Sequence, residues 1–182
     1  MMRSWLAAAL LAAALAAPAA DNAKVSRAAM EAMEVSFDKR ISGLIVEDPI
    51  DLLGPTRGVY LDGYGAVFTA EVSLVVVPPI SPFRRSITKE QTEKVHQRKL
   101  QRVPVLKRAM RDMLVASAAS LDTVPAGEQI AIGVTLFRFS WEDGSGLPSQ
   151  VLMQAQRQRL LDYQAGRINE DALRGSIREQ EF

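Results

Sequence analysis

From Tyr60 to Val77 the chain reads Tyr-Leu-Asp-Gly-Tyr-Gly-Ala-Val-Phe-Thr-Ala-Glu-Val-Ser-Leu-Val-Val-Val and is stopped by Pro78 and Pro79. Strand side chains alternate between faces, so Tyr64, Ala66, Phe68, Ala70, Val72, Leu74 and Val76 share one face. The opposite face, Gly65, Val67, Thr69, Glu71 and Ser73, turns apolar only at Val75 and Val77. A stretch patterned this way is wet on one face early and dry on both faces late, which commits the chain to a sheet. Ahead of it, Asp62-Gly63 suits a tight hairpin turn, with Arg57 to Leu61 as the partner strand. Gly65 marks a bulge or a close approach of another backbone or side chain.

Helices flank this strand. Asp21 or Asn22 is expected to cap a first helix that lays Met30, Met33, Phe37, Ile41 and Leu44 along one stripe, with Arg27, Glu31, Glu34 and Asp38 on its polar face. After the proline-rich connection Ile80 to Arg85, Ser86 or Thr88 starts the longest helical stretch, which reaches about Ser120 and carries Val95, Val103, Leu106, Met110, Met113, Leu114 and Ser117 in helical phase. Pro104 lies inside it. The spacing predicts one kinked helix or two helices meeting near Val103. Glu128 to Trp141 reads as a third strand whose sidedness flips near Leu136 and Phe137, through a bulge or a strand end wrapped on both faces. Pro148 is expected to open a helix running to about Ala165, stopped by Gly166, and Asn169 to cap a short last helix stapled by Ile168 and Leu173. The fold class expected is α+β: an antiparallel sheet of about three or more strands packed against the long helix, with further helices at both ends.

The first twenty residues have a basic start at Arg3, an apolar run from Trp5 to Ala17 and small residues behind it, the three-part pattern of a secretory signal. Cleavage is expected after Ala19, with Ala20 as the alternative, leaving a single domain over residues 20–182. The rival, an uncleaved anchor, is disfavoured because the run is shorter than the roughly 20 residues that span a bilayer. The chain contains no cysteine, so it has no disulfide, lipidated cysteine or thiolate metal site. The expected location of the processed, non-transmembrane protein is therefore exported, periplasmic or secreted.

Most catalytic sets are missing. His96 is the only histidine, so a histidine-rich metal site is excluded, and Lys94, Arg98 and Lys99 around it disfavour the cationic form that a general base must adopt. Ser145 between Gly144 and Gly146 lacks the glycine spacing of a nucleophile elbow. No cofactor and no metal are expected. Glu71, mid-strand and opposite Phe68, is the carboxylate to watch: if a helix covers its face it needs a cationic partner from the basic helix. The hydrolytic alternative pairs Glu71 with Asp62 or Asp143, as carbohydrate hydrolysis would require. Glu71 and Asp143 are accordingly the catalytic candidates of that alternative.

Net charge is only +1, but the charges are segregated. Between Arg84 and Arg111 the only acids among many Lys and Arg residues are Glu90 and Glu93, whereas acids outnumber bases from Glu31 to Glu71. The two halves can attract each other or two different partners. The long helix, with Arg98, Arg102 and Arg108 as candidate binding residues, suits an envelope protein or an anionic lipid surface. Nucleic acid is not expected, because stacking aromatics are missing there, and self-association is open. The segments Tyr60 to Val72 and Trp141 to Ser149, joined by a long basic helix, are similar to a family of small exported bacterial proteins without an assigned function. That resemblance implies export and carries no activity or site. The element order also resembles roadblock-like and profilin-like α+β folds, which act as interaction scaffolds, an analogy of topology alone. The expected function is a non-catalytic binding or scaffold protein of the cell envelope; the alternative is a carboxylate-dependent hydrolase of an envelope or carbohydrate substrate.

Overall fold

Ser26 caps the first helix, α1 (Arg27–Ser42), its hydroxyl accepting from the Ala29 amide at 3.1 Å. This is the start found within residues 25–77 and 87–182, which the computed structural model describes. Ser26 thus takes the capping role expected of Asp21 or Asn22; those two, the export signal at 1–19 and the proline-rich connection lie outside the described residues. The stripe Met30, Met33, Phe37 and Ile41 is buried as its spacing requires. Glu34, read as part of the polar face, is buried too: its carboxylate accepts from the Gly58 amide at 2.7 Å and from Arg27 at 2.9 Å.

Three strands follow, β1 (Asp51–Leu52), β2 (Arg57–Leu61) and β3 (Gly65–Ser73). The hairpin forms at Asp62-Gly63, with Gly63 at φ +76°. β1 and β2 lie end to end along the same side of β3, both antiparallel to it. Ala66, Phe68, Val72 and Leu74 are fully buried on the predicted face, whereas Val76, past the strand's end, is exposed. Phe68 meets Phe37 edge to face, ring centroids 4.9 Å apart. Such a pair adds about 0.5–1.5 kcal/mol beyond the area it buries and fastens α1 to the sheet.

The long helix α2 (Lys89–Ser120) opens on a capping box in which Thr88 and Gln91 satisfy each other's backbone amides. One helix runs unbroken through Pro104, which faces solvent, while Val103, Leu106, Met110, Met113 and Leu114 face the sheet. α2 returns the chain so that β4 (Gln129–Leu136) runs parallel to β3, from Gly65↔Gln129 to Val72↔Leu136. The sheet is therefore mixed: antiparallel at its other joints, as expected, and parallel at this central one, because a crossover of helical length permits it. Gly65 has φ +130°, and a Cβ there would stand 1.9 Å from the Gln129 carbonyl oxygen. The close backbone approach expected at this glycine is the β3–β4 joint itself.

The largest departure from the sequence pattern lies beyond Pro148. Residues Gln150–Gln156 form a strand, β5, antiparallel to β4, and only Arg157–Gln164 is helical, as α3. Gln-Val-Leu-Met-Gln-Ala-Gln has good helix formers, yet Val151, Met153 and Ala155 alternate and become fully buried once paired with β4. Burial of that row outweighs a propensity preference of tenths of a kcal/mol per residue. After α4 (Glu170–Ser176), capped by Asn169 as expected, β6 (Arg178–Glu181) pairs with β5 and closes the order β1-β3-β4-β5-β6 of a six-stranded sheet, with β2 also on β3. β6 is short and charged, which protects an open edge from further pairing.

Candidate functional site

The pairing register divides the sheet's side chains. Ala66, Phe68, Val72, Ile130, Ile132, Val134, Val151, Met153 and Ala155 face α1 and α2 and make the core. On the other face, neighbours across the strands form rows: Arg57, Thr69, Gly133, Leu152 and Gln180 in one, Val59, Val67, Ala131, Gln154 and Arg178 in the next. Glu71, Thr135 and Gln150 form a third row, and Leu61, Gly65, Gln129 and Gln156 a fourth. Seven of these seventeen residues carry hydroxyls or amides and three are charged, with Val59 and Leu61 about half exposed at one edge. Among the described residues no helix covers the middle of this face. Small residues on the central strand, Ala131 and Gly133, lie low between the taller rows of β3 and β5.

Each end of the uncovered face opens into a cleft. At the carboxyl end of β3 and β4, a cleft of about 530 Å³ is lined by Glu71, Thr135, Phe137, Arg138, Phe139 and Ser149 among others. The expected change of sidedness after Leu136 is a strand end: Phe137 still donates its amide to Val72, then the chain turns away. Phe139 stacks on Trp141 at 5.6 Å and meets Phe137 edge to face at 4.9 Å, a ledge of aromatic rings beside the cleft. At the opposite end, a cleft of about 630 Å³ lies between Gln129, Gln154, Gln156 and the start of α3 and end of α4.

The acids singled out from sequence do not converge. Glu71 is exposed, because the face it occupies has no helix over it and no basic residue reaches it among the described residues. Asp62 sits in the hairpin turn at the other end of β3, a strand's length away. Asp143 faces a third cleft, about 300 Å³, beside His96, whose Nδ1 lies 3.1 Å from the Asp143 carbonyl oxygen. Its carboxylate accepts from the Ser145 amide at 2.9 Å. That backbone bond first, then the Ser145 hydroxyl and the nearby His96, holds it below the usual carboxylate range.

The basic residues of α2 are largely occupied by the chain's own acids. Arg98 and Arg102 both bind Asp48, and Arg102 also donates to the Leu74 carbonyl; burial lowers the Arg102 pKa. Lys99 and Glu142 form a sealed ion pair, with side chains only 2% and 3% exposed, and Lys99 donates to the Phe137 carbonyl at 3.0 Å as well. Lys107 bridges Glu179 and Glu181, which raise its pKa, and Arg111 reaches Glu179. Arg108 differs: it is exposed and lines a cleft of about 480 Å³ between α2, α3 and α4, together with Tyr163 and Arg174. Of the two partners allowed by the segregated charge, the acidic first half has therefore claimed Arg98 and Arg102, and residues near the carboxyl terminus have claimed Lys107 and Arg111.

Sequence reasoning missed Gln129, Gln154, Gln156, Arg159 and Arg178. The expected helix over 148–165 would have scattered three of them around a cylinder. The alternation of Val151, Met153 and Ala155 was the signal that could have placed them on one face. Among the described residues no group of three or more His, Asp or Glu side chains is arranged to hold a metal ion, and no helix is long and apolar enough to cross a membrane. No family model, curated protein or solved structure matches the chain.

Proposed function

We propose that this chain is an exported, non-catalytic binding protein of the cell envelope, and that its working surface is the uncovered face of the sheet. The observation that carries the reading is the composition of that face. It presents amides and hydroxyls from the four strands β3 to β6, and four guanidinium groups, Arg57 and Arg178 on the strands and Arg138 and Arg159 at the ends, against the carboxylates of Asp51 and Glu71. A surface that is polar, adaptable and modestly cationic suits an acidic component of the envelope. Export rests on the leader pattern at residues 1–19.

The long helix is a less suitable surface, since Arg98, Lys99, Arg102, Lys107 and Arg111 already have acidic partners. A carboxylate pair for hydrolysis gains no support from Glu71, Asp62 and Asp143, which lie in three different places. The test is a photo-crosslinking amino acid placed at Thr135 on the sheet face and, separately, at Arg108 on α2, in cells expressing the full chain. Adducts with an envelope component are expected from position 135 and not from position 108. Adducts from 108 alone, or from neither position, would overturn the assignment of the surface.

A further inference from the structure

We infer that the cleft at the amino end of β4 is a binding site for a small polyhydroxylated anion, a sugar bearing a carboxylate or a phosphate. The site deepens the envelope-binding reading by naming what one end of the sheet face recognises. Its walls are Gln129, Gln154, Gln156, Arg159, Ser176 and Arg178, with Ile168 as an apolar side, and no carboxylate lines it. Neither Arg159 nor Arg178 forms an ion pair among the described residues, and both are exposed. In this they contrast with the basic residues of α2, most of which are paired. Two guanidinium groups with no carboxylate in contact face one concavity, Asp162 acting on Arg159 only from a distance, and together they attract an anion and offer it forked hydrogen bonds.

The remaining groups are oriented by bonds they already make. Gln154 Oε1 accepts from the Tyr64 hydroxyl at 2.9 Å, so its amide nitrogen is left to donate beside Arg178, its register partner on β6. Gln156 Nε2 donates to the Gly127 carbonyl at 3.0 Å, so its oxygen is left to accept. Ser176 donates to Leu173 at 2.7 Å, leaving its lone pairs to accept as well. Gln129, paired in register with Gln156, can do either. Donors therefore gather around Arg178 and Gln154, and acceptors around Gln156 and Ser176. An inorganic anion would use only the first set. A hydroxylated ring with one acidic group uses both, with its C–H face against Ile168, and about 630 Å³ accommodates it.

The experiment is calorimetric titration of the purified protein with glucuronate, glucose 6-phosphate, glucose and inorganic phosphate at one ionic strength. Saturable binding of one or both acidic sugars, at least about tenfold tighter than that of glucose or phosphate, is expected. Arg159→Gln and Arg178→Gln should each weaken it by about tenfold, Arg159→Lys and Arg178→Lys by less, and Arg40→Gln in the last turn of α1 should leave it unchanged. Gln156→Met should erase the preference for acidic sugar over phosphate. Equal binding of glucose, equal binding of phosphate, or no saturation by either acidic sugar would overturn the site. If crosslinks form at position 135 but neither acidic sugar binds, the site falls and the envelope-binding reading stands. If an acidic sugar binds as described and no crosslinks form, the reverse holds.

Discussion

Two sets of basic residues in this molecule behave in opposite ways. On α2, Arg98 and Arg102 converge on Asp48, Lys99 is sealed against Glu142, and Lys107 and Arg111 reach the acids of β6. At the far end of the sheet's uncovered face, Arg159 and Arg178 surround a cleft without a carboxylate. The helix has the higher density of charge in the sequence, yet five of its eight basic residues are held by acids of the same chain, whereas neither arginine of the cleft is in an ion pair among the described residues. A run of basic residues thus reports where charge is stored, while the acids brought against it decide whether that charge is still available.

The sharpest way to break this comparison is at the sealed pair. Glu142→Ala leaves the Lys99 ammonium buried with the Phe137 carbonyl and should cost about 3–5 kcal/mol in chemical denaturation, whereas the double change Lys99→Met with Glu142→Leu should recover most of it. An unchanged midpoint in the single variant would mean that the pair is solvated and the helix less committed than described. Next in size is the joint that sets which face is uncovered. Gly65→Val should destabilise by about 3 kcal/mol, through a backbone angle that L side chains rarely adopt and a clash with Gln129. Gly63→Asn in the open turn, with nothing near its missing Cβ, should cost less than about 1 kcal/mol.

A smaller contrast separates the two arginines on Asp48. Arg102→Gln should lose about 1.5–3 kcal/mol, because a buried charged group and its bond to Leu74 go together, while Arg98→Gln should stay within about 1 kcal/mol. Equal losses would show that burial is not what distinguishes them. The smallest effect concerns Asp143. Its pKa is lower in the folded chain, so whatever stability it lends is present above the ordinary aspartate value and is lost as pH falls through the folded one. Carboxyl NMR should find its midpoint below that of a free aspartate; Ser145→Ala should leave most of the shift, since the backbone amide of residue 145 is its largest cause, and His96→Ala nearly all.

Local patterns predicted much of this architecture. The alternation around Phe68, the hairpin at Asp62-Gly63, the stripe of α1 and the phase of α2 across Pro104 appear where their periodicities placed them. The failures share one cause. Gln150–Gln156 satisfies a helical reading and a strand reading almost equally, and the choice falls to a neighbour, β4, distant in three dimensions until the chain has folded. The amide cleft was lost with that segment, because its glutamines share a face only in an extended backbone. Glu71 shows the same limit: its place opposite Phe68 was readable, but whether a helix lay over it was not.

The sequence by itself determined the absence of thiol chemistry and of a histidine cluster, the segregation of charge, and the two periodicities that make a sheet and a long helix. What the tertiary structure decided is which face of the sheet stays uncovered and which cations stay unpaired. Periodicity is a property of neighbouring residues, whereas pairing and burial depend on segments that meet only after folding; Arg98 and Asp48, fifty residues apart, are one such meeting.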